Sequence, residues 1–349
     1  MSSPDAIIAG AGIIGVSLAL ELRERGLNVW ILDRAEPGQE ASSAAAGMLA
    51  AGGFETPPAL RPLALESARI FPEFVRKLQE LSEMETDFRR HGTIVFGDET
   101  APPGAKQLSS DELQQREPFL RSPSGPAFFV QEDSVDPRLL MQAALAAARQ
   151  TRVEVRGHVE VKGIRAAGNG VEVLTDSGAC ACAQAINCLG AWSGAPVKPR
   201  KGQMLYLQPT RTDLLSHVVH APEVYLVPRS TGKILVGATV EDVGFDKTVT
   251  PSTINEFHRI AGRYLPELAS APVAESWAGL RPGTPDDLPI LGATDIRGVF
   301  IATGHFRNGI LLAPVTAKIM ADLVTGKTPT QDISAFGVSR FAPARAEFC

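Results

Sequence analysis

Ala6-Ile-Ile-Ala-Gly10-Ala-Gly12-Ile-Ile-Gly15 opens the chain, and Asp33 closes the next apolar run. The four residues Ala6–Ala9 predict a buried strand, Ile14–Arg25 a helix closed by Gly26, and Asn28–Leu32 a second strand. Gly10 permits a tight turn, Gly12 lets the backbone approach a pyrophosphate, and Gly15 allows helix and strand to touch. The start of that helix offers N–H groups and a positive dipole end to phosphates. Asp33 stands where an acidic side chain hydrogen-bonds ribose hydroxyls and repels a 2′-phosphate. Together these features predict a dinucleotide site, not a glycine-rich turn without a ligand.

Working outward, 349 residues at 44% hydrophobic suggest more core than one compact domain holds. A net charge of −5 with dispersed Lys and Arg gives no basic patch for nucleic acid or an anionic membrane. Cys180, Cys182, Cys188 and Cys349 make no disulfide framework and no metal-ligand set, so reduced thiols and a cytoplasmic location are expected. The apolar start lacks a basic leader and runs into the charged Glu21–Arg25, unlike a signal peptide. No apolar run is long enough to span a bilayer, and a soluble protein is expected.

Further along, a small-residue stretch Glu40–Gly53 precedes a helix over Leu63–Ser82, short strands at Thr93–Phe96 and Ala127–Val130, and a helix over Pro137–Gln150 capped by Asp136. Val153–Val155, Val171–Thr175 and Ala185–Leu189 read as strands. Alternation then predicts antiparallel strands at Met204–Leu207, His217–Ala221, Val224–Pro228 and Lys233–Gly237, before a helix at Phe257–Tyr264. Gly279-Leu-Arg-Pro-Gly283 suits a tight turn facing a ligand. Val299–Thr303 is a strand, and Gly304–Gly309 leads into a helix over Leu311–Val324. The class is α/β with an α+β substrate lobe: a discontinuous Rossmann-type domain (1–85, 137–200 and 277–349) and an antiparallel-sheet substrate domain (86–136 and 201–276). The fingerprint occurs once. If FAD fills it, a nicotinamide nucleotide has no second site and electrons come from the substrate itself.

Four further segments carry a resemblance: Ala41-Ser-Ser-Ala-Ala-Ala-Gly-Met-Leu49, Val224-Tyr-Leu-Val-Pro-Arg229, Trp277-Ala-Gly-Leu-Arg-Pro-Gly283 and Gly304-His-Phe-Arg-Asn-Gly-Ile-Leu-Leu-Ala-Pro314. In this order the chain resembles the glycine oxidase branch of the D-amino acid oxidase family, which includes the glycine oxidases of thiamine biosynthesis. The resemblance implies a glutathione-reductase-like FAD domain, non-covalent FAD and a homotetramer. It gives Gly10, Gly12, Ile13, Ile14, Gly15, Asp33 and Arg34 to the ADP half of FAD, with Val159 near the adenine. Ser42, Ser43, Ala45, Ala46, Gly47 and Met48 line the pyrophosphate and flavin edge, and Gly190 and Trp192 lie in a second flavin-contacting turn. Gly304, His305, Arg307, Asn308, Gly309 and Ile310 wrap the isoalloxazine.

On the substrate side the resemblance implies Arg281 and Tyr225 for an amino acid's carboxylate, with Arg307, Met48, Ala50, Val240 and Glu223 around them. A guanidinium fork meets a carboxylate bidentately and a phenol adds a third bond. From the residues alone, Arg281 has an inter-lobe ion pair as its bland reading, against which the flanking glycines and Pro282 favour a ligand contact, while Tyr225 is equally a half-buried strand aromatic. His305 reads as a side chain orienting backbone beside the flavin, not as a base. Where this chain has Glu223 and Val240, the family often has histidine and methionine, so the pocket's mouth is expected to differ in charge and width. The expected reaction is oxidation of glycine or a similar small amino acid (sarcosine, an N-alkylglycine, a small D-amino acid) to an oxo acid, ammonia or amine, and hydrogen peroxide. A dehydrogenase passing electrons to a quinone or partner protein, and a non-catalytic flavin-binding subunit, are the competing readings.

Overall fold

The structure, a computed structural model, describes residues 3–53, 56–97, 101–121 and 125–341, so Cys349 lies outside it. The fingerprint strand Ala6–Ala9 sits inside a six-stranded sheet. In spatial order the strands are Ile290–Ala293, Val299–Thr303, Gln184–Asn187, Ala6–Ala9, Val29–Leu32 and Glu154–Arg156. Only the first pair is antiparallel, and Ala6 stands opposite both Gln184 and Val29. All four fingerprint-strand residues are buried, as a strand covered on both faces must be. Ala6 and Ile8 point into a core shared with the helices Ile13–Glu24, Arg61–Ser82, Pro137–Gln150 and Gly309–Val324. Ile7 and Ala9 point to the other face, against a meander of Val161–Ala167, Gly170–Thr175 and Gly178–Cys182. The sequence reading found only the middle strand of that meander. Its outer strands carry exposed Ala, Lys and Arg residues that give no strong strand pattern.

The second sheet has eight strands in the order Val273–Gly283, Lys198–Leu207, Ile234–Gly237, Tyr225–Pro228, Val218–His220, Thr93–Phe96, Ala127–Val130 and Lys106–Leu108. Strand alternation divides its two faces. Leu205, Leu226 and Val236 pack with Ile254, Phe257 and Ala261 of the helix Pro251–Tyr264. Met204, Tyr206, Val227 and Leu235 face the other way, onto Ala46, Met48 and Trp277. This face turns toward the fingerprint lobe.

One expectation is corrected here. Gly279–Gly283 is no turn but the end of the strand Val273–Gly283, paired along its length with Lys198–Leu207, so that Arg281 stands opposite Arg200. Pro282 is tolerated because this is the edge strand of the sheet. The strand also runs unbroken through 276/277, where a domain boundary was expected. Among the described residues no helix is long and apolar enough to cross a membrane.

Candidate active site

A cavity of about 430 Å³ runs between the two sheets. It begins at Gly10, Gly12, Ile13, Ile14, Asp33 and Arg34, and passes Ser42, Ala45–Met48, Gly190 and Trp192. Beyond His305 and Arg307–Ile310 it reaches Tyr225, Arg281, Ala50, Val240 and Glu223. Its size is that of a cofactor or ligand pocket. Of the expected residues, Gly15, Ser43, Val159 and Gly304 do not line it. Gly15 is used for packing: a Cβ there would strike the Gly10 carbonyl. Ser43 turns its hydroxyl to the Gly38 carbonyl. Val159 donates its N–H to the Asp33 carbonyl at 2.8 Å, which braces the strand end from behind. Gly304 is packed against Thr284.

At the dinucleotide end, Gly10 adopts φ +105°, a conformation side-chain-bearing residues avoid. Ser42, not Ser43, serves the helix start: its hydroxyl oxygen accepts the Ile13 N–H at 2.9 Å, which leaves its proton to donate. Asp33 accepts the Ala11 N–H at 2.7 Å and the Ala35 N–H at 3.0 Å, so it shapes the fingerprint turn as well as facing the cavity. Arg34 lies 3.7 Å over the Trp192 ring, and Trp192 stacks in turn on Phe245 at 5.2 Å. The helix Gly309–Val324 opens onto the cavity through Gly309 and Ile310.

At the other end, Arg281 and Tyr225 start from strands that are not neighbours. The side chains meet because both strands between them present glycine there: a Cβ at Gly202 would overlap the Arg281 guanidinium, and one at Gly237 would press on the Tyr225 phenol. Arg281 Nη1 donates to the Thr239 carbonyl at 3.1 Å. Thr239 is itself held from behind. Its hydroxyl donates to Glu241 and accepts the Gln203 N–H at 2.9 Å, while Gln203 Nε2 donates to Glu241 at 2.8 Å. Lys201, 3% exposed, completes the group 3.5 Å from Glu241 and 3.7 Å from Asp246. Burial works against the Glu241 charge, but the Thr239 and Gln203 hydrogen bonds and the Lys201 ammonium hold its carboxyl below the ordinary value. Tyr225 donates to the Met204 sulfur at 3.3 Å; burial raises its pKa, against the pull of Arg281 and Arg307, and it stays a protonated donor.

His305 is 3% exposed, bonds Thr316 Oγ1 at 3.1 Å through Nε2, and is pushed down by burial to about 3. It is neutral near pH 7 and works as a spacer under the Phe306–Asn308 turn. The Glu223 carboxylate is taken by Arg263 at 2.5 and 2.6 Å and by the Tyr264 hydroxyl at 3.2 Å, so the charge expected at the mouth is paired. Val240 is half exposed on the rim. The sequence reading gave no role to Arg229. It is buried and donates to the Ala46 carbonyl at 2.6 Å and the Val135 carbonyl at 3.2 Å, tying the flavin-side segment to the antiparallel sheet. It also missed Thr93, Glu132 and His220, which line the cavity beyond Tyr225. Nothing local marks them; only strand pairing brings them together.

The fold and this cavity define a dinucleotide-dependent redox protein. The chain belongs to the FAD dependent oxidoreductase (DAO) family, whose model matches residues 5–323. The cavity suits the group that family carries: a glycine turn, an acidic strand end and two helix starts face the space along its length. Among its relatives, the bifunctional protein ThiO/ThiG of Trichormus variabilis is 35% identical over 97% of this chain and 55% of its own length; the chain spans about half of that protein. The hydrogen cyanide synthase subunit HcnC of Pseudomonas aeruginosa is 33% identical over 98% of this chain and 97% of its own. The crystal structure of glycine oxidase from Geobacillus kaustophilus superposes with a TM-score of 0.92 at 30% identity, covering 97% of this chain and 99% of that one.

Proposed function

We propose that the protein oxidises glycine or a similarly small amino acid to an oxo acid and ammonia or amine, with dioxygen as the acceptor and hydrogen peroxide as the second product. The observation that carries this reading is the meeting of a guanidinium and a protonated phenol at one end of a flavin-sized cavity. The likeness to glycine oxidase across nearly the whole chain supports it, and the ThiO likeness supports a place in thiamine biosynthesis. The reducing cytoplasm fits the free thiols Cys180, Cys182 and Cys188.

In this mechanism the Arg281 fork and the Tyr225 hydroxyl bind the carboxylate and fix the Cα–H bond. FAD, which Gly10, Gly12, Asp33, Ser42, Gly309 and Ile310 would hold, would supply two-electron acceptance at that carbon and the redox link to dioxygen. The start of the helix Gly309–Val324 offers its dipole to negative charge on the cofactor. The amine binds as its free base, because burial makes His305 too weak a base to take its proton and Thr316 engages the Nε2 of that ring. Anaerobic mixing with glycine should bleach the flavin; retention of the oxidised spectrum with every small amino acid would overturn the reading.

A pH prediction follows from His305. Its folded pKa is depressed, so its burial favours the fold fully above the ordinary histidine value, and that contribution is lost as the pH falls toward about 3. No limb from His305 therefore belongs in the neutral-to-alkaline range. The rate at subsaturating glycine should rise through that range with the substrate's own ammonium ionisation. A flat profile there contradicts free-base binding.

The mouth offers a second test. Val240→Met should narrow the rim and shift preference toward glycine over N-ethylglycine by about tenfold, the scale of one or two methylenes in a pocket. An unchanged ratio of kcat/KM values would remove Val240 from the substrate wall. The near full-length likeness to HcnC, named as a synthase subunit, favours one competing reading, in which electrons pass to a partner protein in place of oxygen. Peroxide formed at less than one per substrate consumed would establish it.

A further inference from the structure

The cavity does not end at the carboxylate-binding pair. Arg281 and Tyr225 belong to the first four strands of the antiparallel sheet, and the lining continues over the next three through His220, Thr93, Val95 and Val130 to Glu132. Three strand spacings are roughly 14 Å, far more than glycine needs. Glu132 follows the strand Ala127–Val130 and precedes Asp133, which pairs with Leu49, so it stands between the sheet and the Met48–Ala50 wall. The Thr93 hydroxyl hydrogen-bonds its carboxyl, answering one of about four lone-pair positions. Burial, helped by the nearby Asp133 charge, pushes that carboxyl up to about 7. Among the described residues no Lys or Arg lines this stretch of the cavity. A carboxyl so placed is costly to bury without further hydrogen-bond donors.

We propose that this end of the cavity is a second recognition subsite, in which Glu132 and Thr93 bind a distal hydrogen-bond donor, above all a cationic amine, carried on the nitrogen or Cα of the amino acid. The proposal rests on the reading of Arg281 and Tyr225 as the carboxylate anchor. It makes the substrate class an amino acid with a polar or basic second arm, and it disfavours a second carboxylate, which would meet Glu132 with no Lys or Arg lining that stretch among the described residues. An ammonium bound there favours the charged form of Glu132, against the effect of burial.

The test compares kcat/KM of the FAD-loaded protein for N-(ω-aminoalkyl)glycines and N-alkylglycines matched in length, for D-lysine and D-norleucine, and for glycine and iminodiacetate. At one chain length the aminated probe should be favoured by about ten- to a hundredfold, the scale of a hydrogen bond to a charged group. Glu132→Gln should erase most of that preference and leave glycine within about twofold, and Thr93→Val should reduce it in part. Glycine turnover with no amine preference in either series overturns the subsite and leaves the parent reading standing. Equal slowing of glycine and all probes in Glu132→Gln and Thr93→Val also overturns it, because the pair is then structural. Absence of turnover with glycine and every probe overturns both.

Discussion

Arg281→Ala should lower kcat/KM for glycine by a factor on the order of a thousand, because it leaves a carboxylate unpaired in a desolvated pocket, a loss of about 3–5 kcal/mol. Arg281→Lys keeps the charge but loses the fork and should fall between the two. The guanidinium lies across Gly202 and touches the Thr239 carbonyl, so a shorter side chain retreats from the cavity without disturbing the dinucleotide end. Both variants should therefore stay yellow. Ethylamine, which has no carboxylate, is the control: its slow turnover should be indifferent to the substitution. A colourless or aggregated Arg281→Ala protein would mean that Arg281 serves to lock Thr239 to the edge strand. Equal loss with glycine and ethylamine in a folded variant would move the carboxylate elsewhere.

Asp33→Ala should weaken FAD binding by about ten- to a hundredfold, from roughly 1.5–3 kcal/mol lost with a charged hydrogen-bonding group. Two effects combine. The ribose loses its acceptor, and the Ala11 and Ala35 N–H groups lose the carboxylate that shapes the fingerprint turn. Asp33→Asn should recover little, since its amide turns a donor toward one of those N–H groups. Titration of the apoprotein with FAD, followed by flavin fluorescence, reads the change. Unchanged affinity would show that Asp33 is not a ribose ligand. Acid precipitation of the native protein should release free FAD, and flavin left in the pellet would exclude non-covalent binding.

The sequence disclosed most where local chemistry and tertiary role coincide. Ala6–Ala9 and Gly10 have to be a strand and a turn whatever surrounds them, and Asp136 with Pro137 marks a helix start through hydrogen bonds to its own neighbours. The flavin-side motifs were legible through resemblance, and most of their residues line the cavity. Arg281 was found by type but placed on a turn, because glycine and proline are punctuation in an average segment and an edge strand is the exception that tolerates both. Ser42 and Ser43 are indistinguishable in sequence; only the position of Ile13 decides which hydroxyl caps the helix. Glu132 was invisible because its burial depends on a strand pairing with residues far along the chain.

The order in which the six-stranded sheet is assembled has a consequence for biosynthesis. Its central strand, Ala6–Ala9, is synthesised well before the neighbour of its neighbour, Val299–Thr303, and before the packing helix Gly309–Val324. A nascent chain thus presents half a nucleotide cradle with an open apolar flank until those two segments are made. A flavin should therefore find its complete cradle only once Val299–Thr303 and Gly309–Val324 have been made, and flavin supply after that point, more than before it, should set how much of the protein survives proteolysis in the cell.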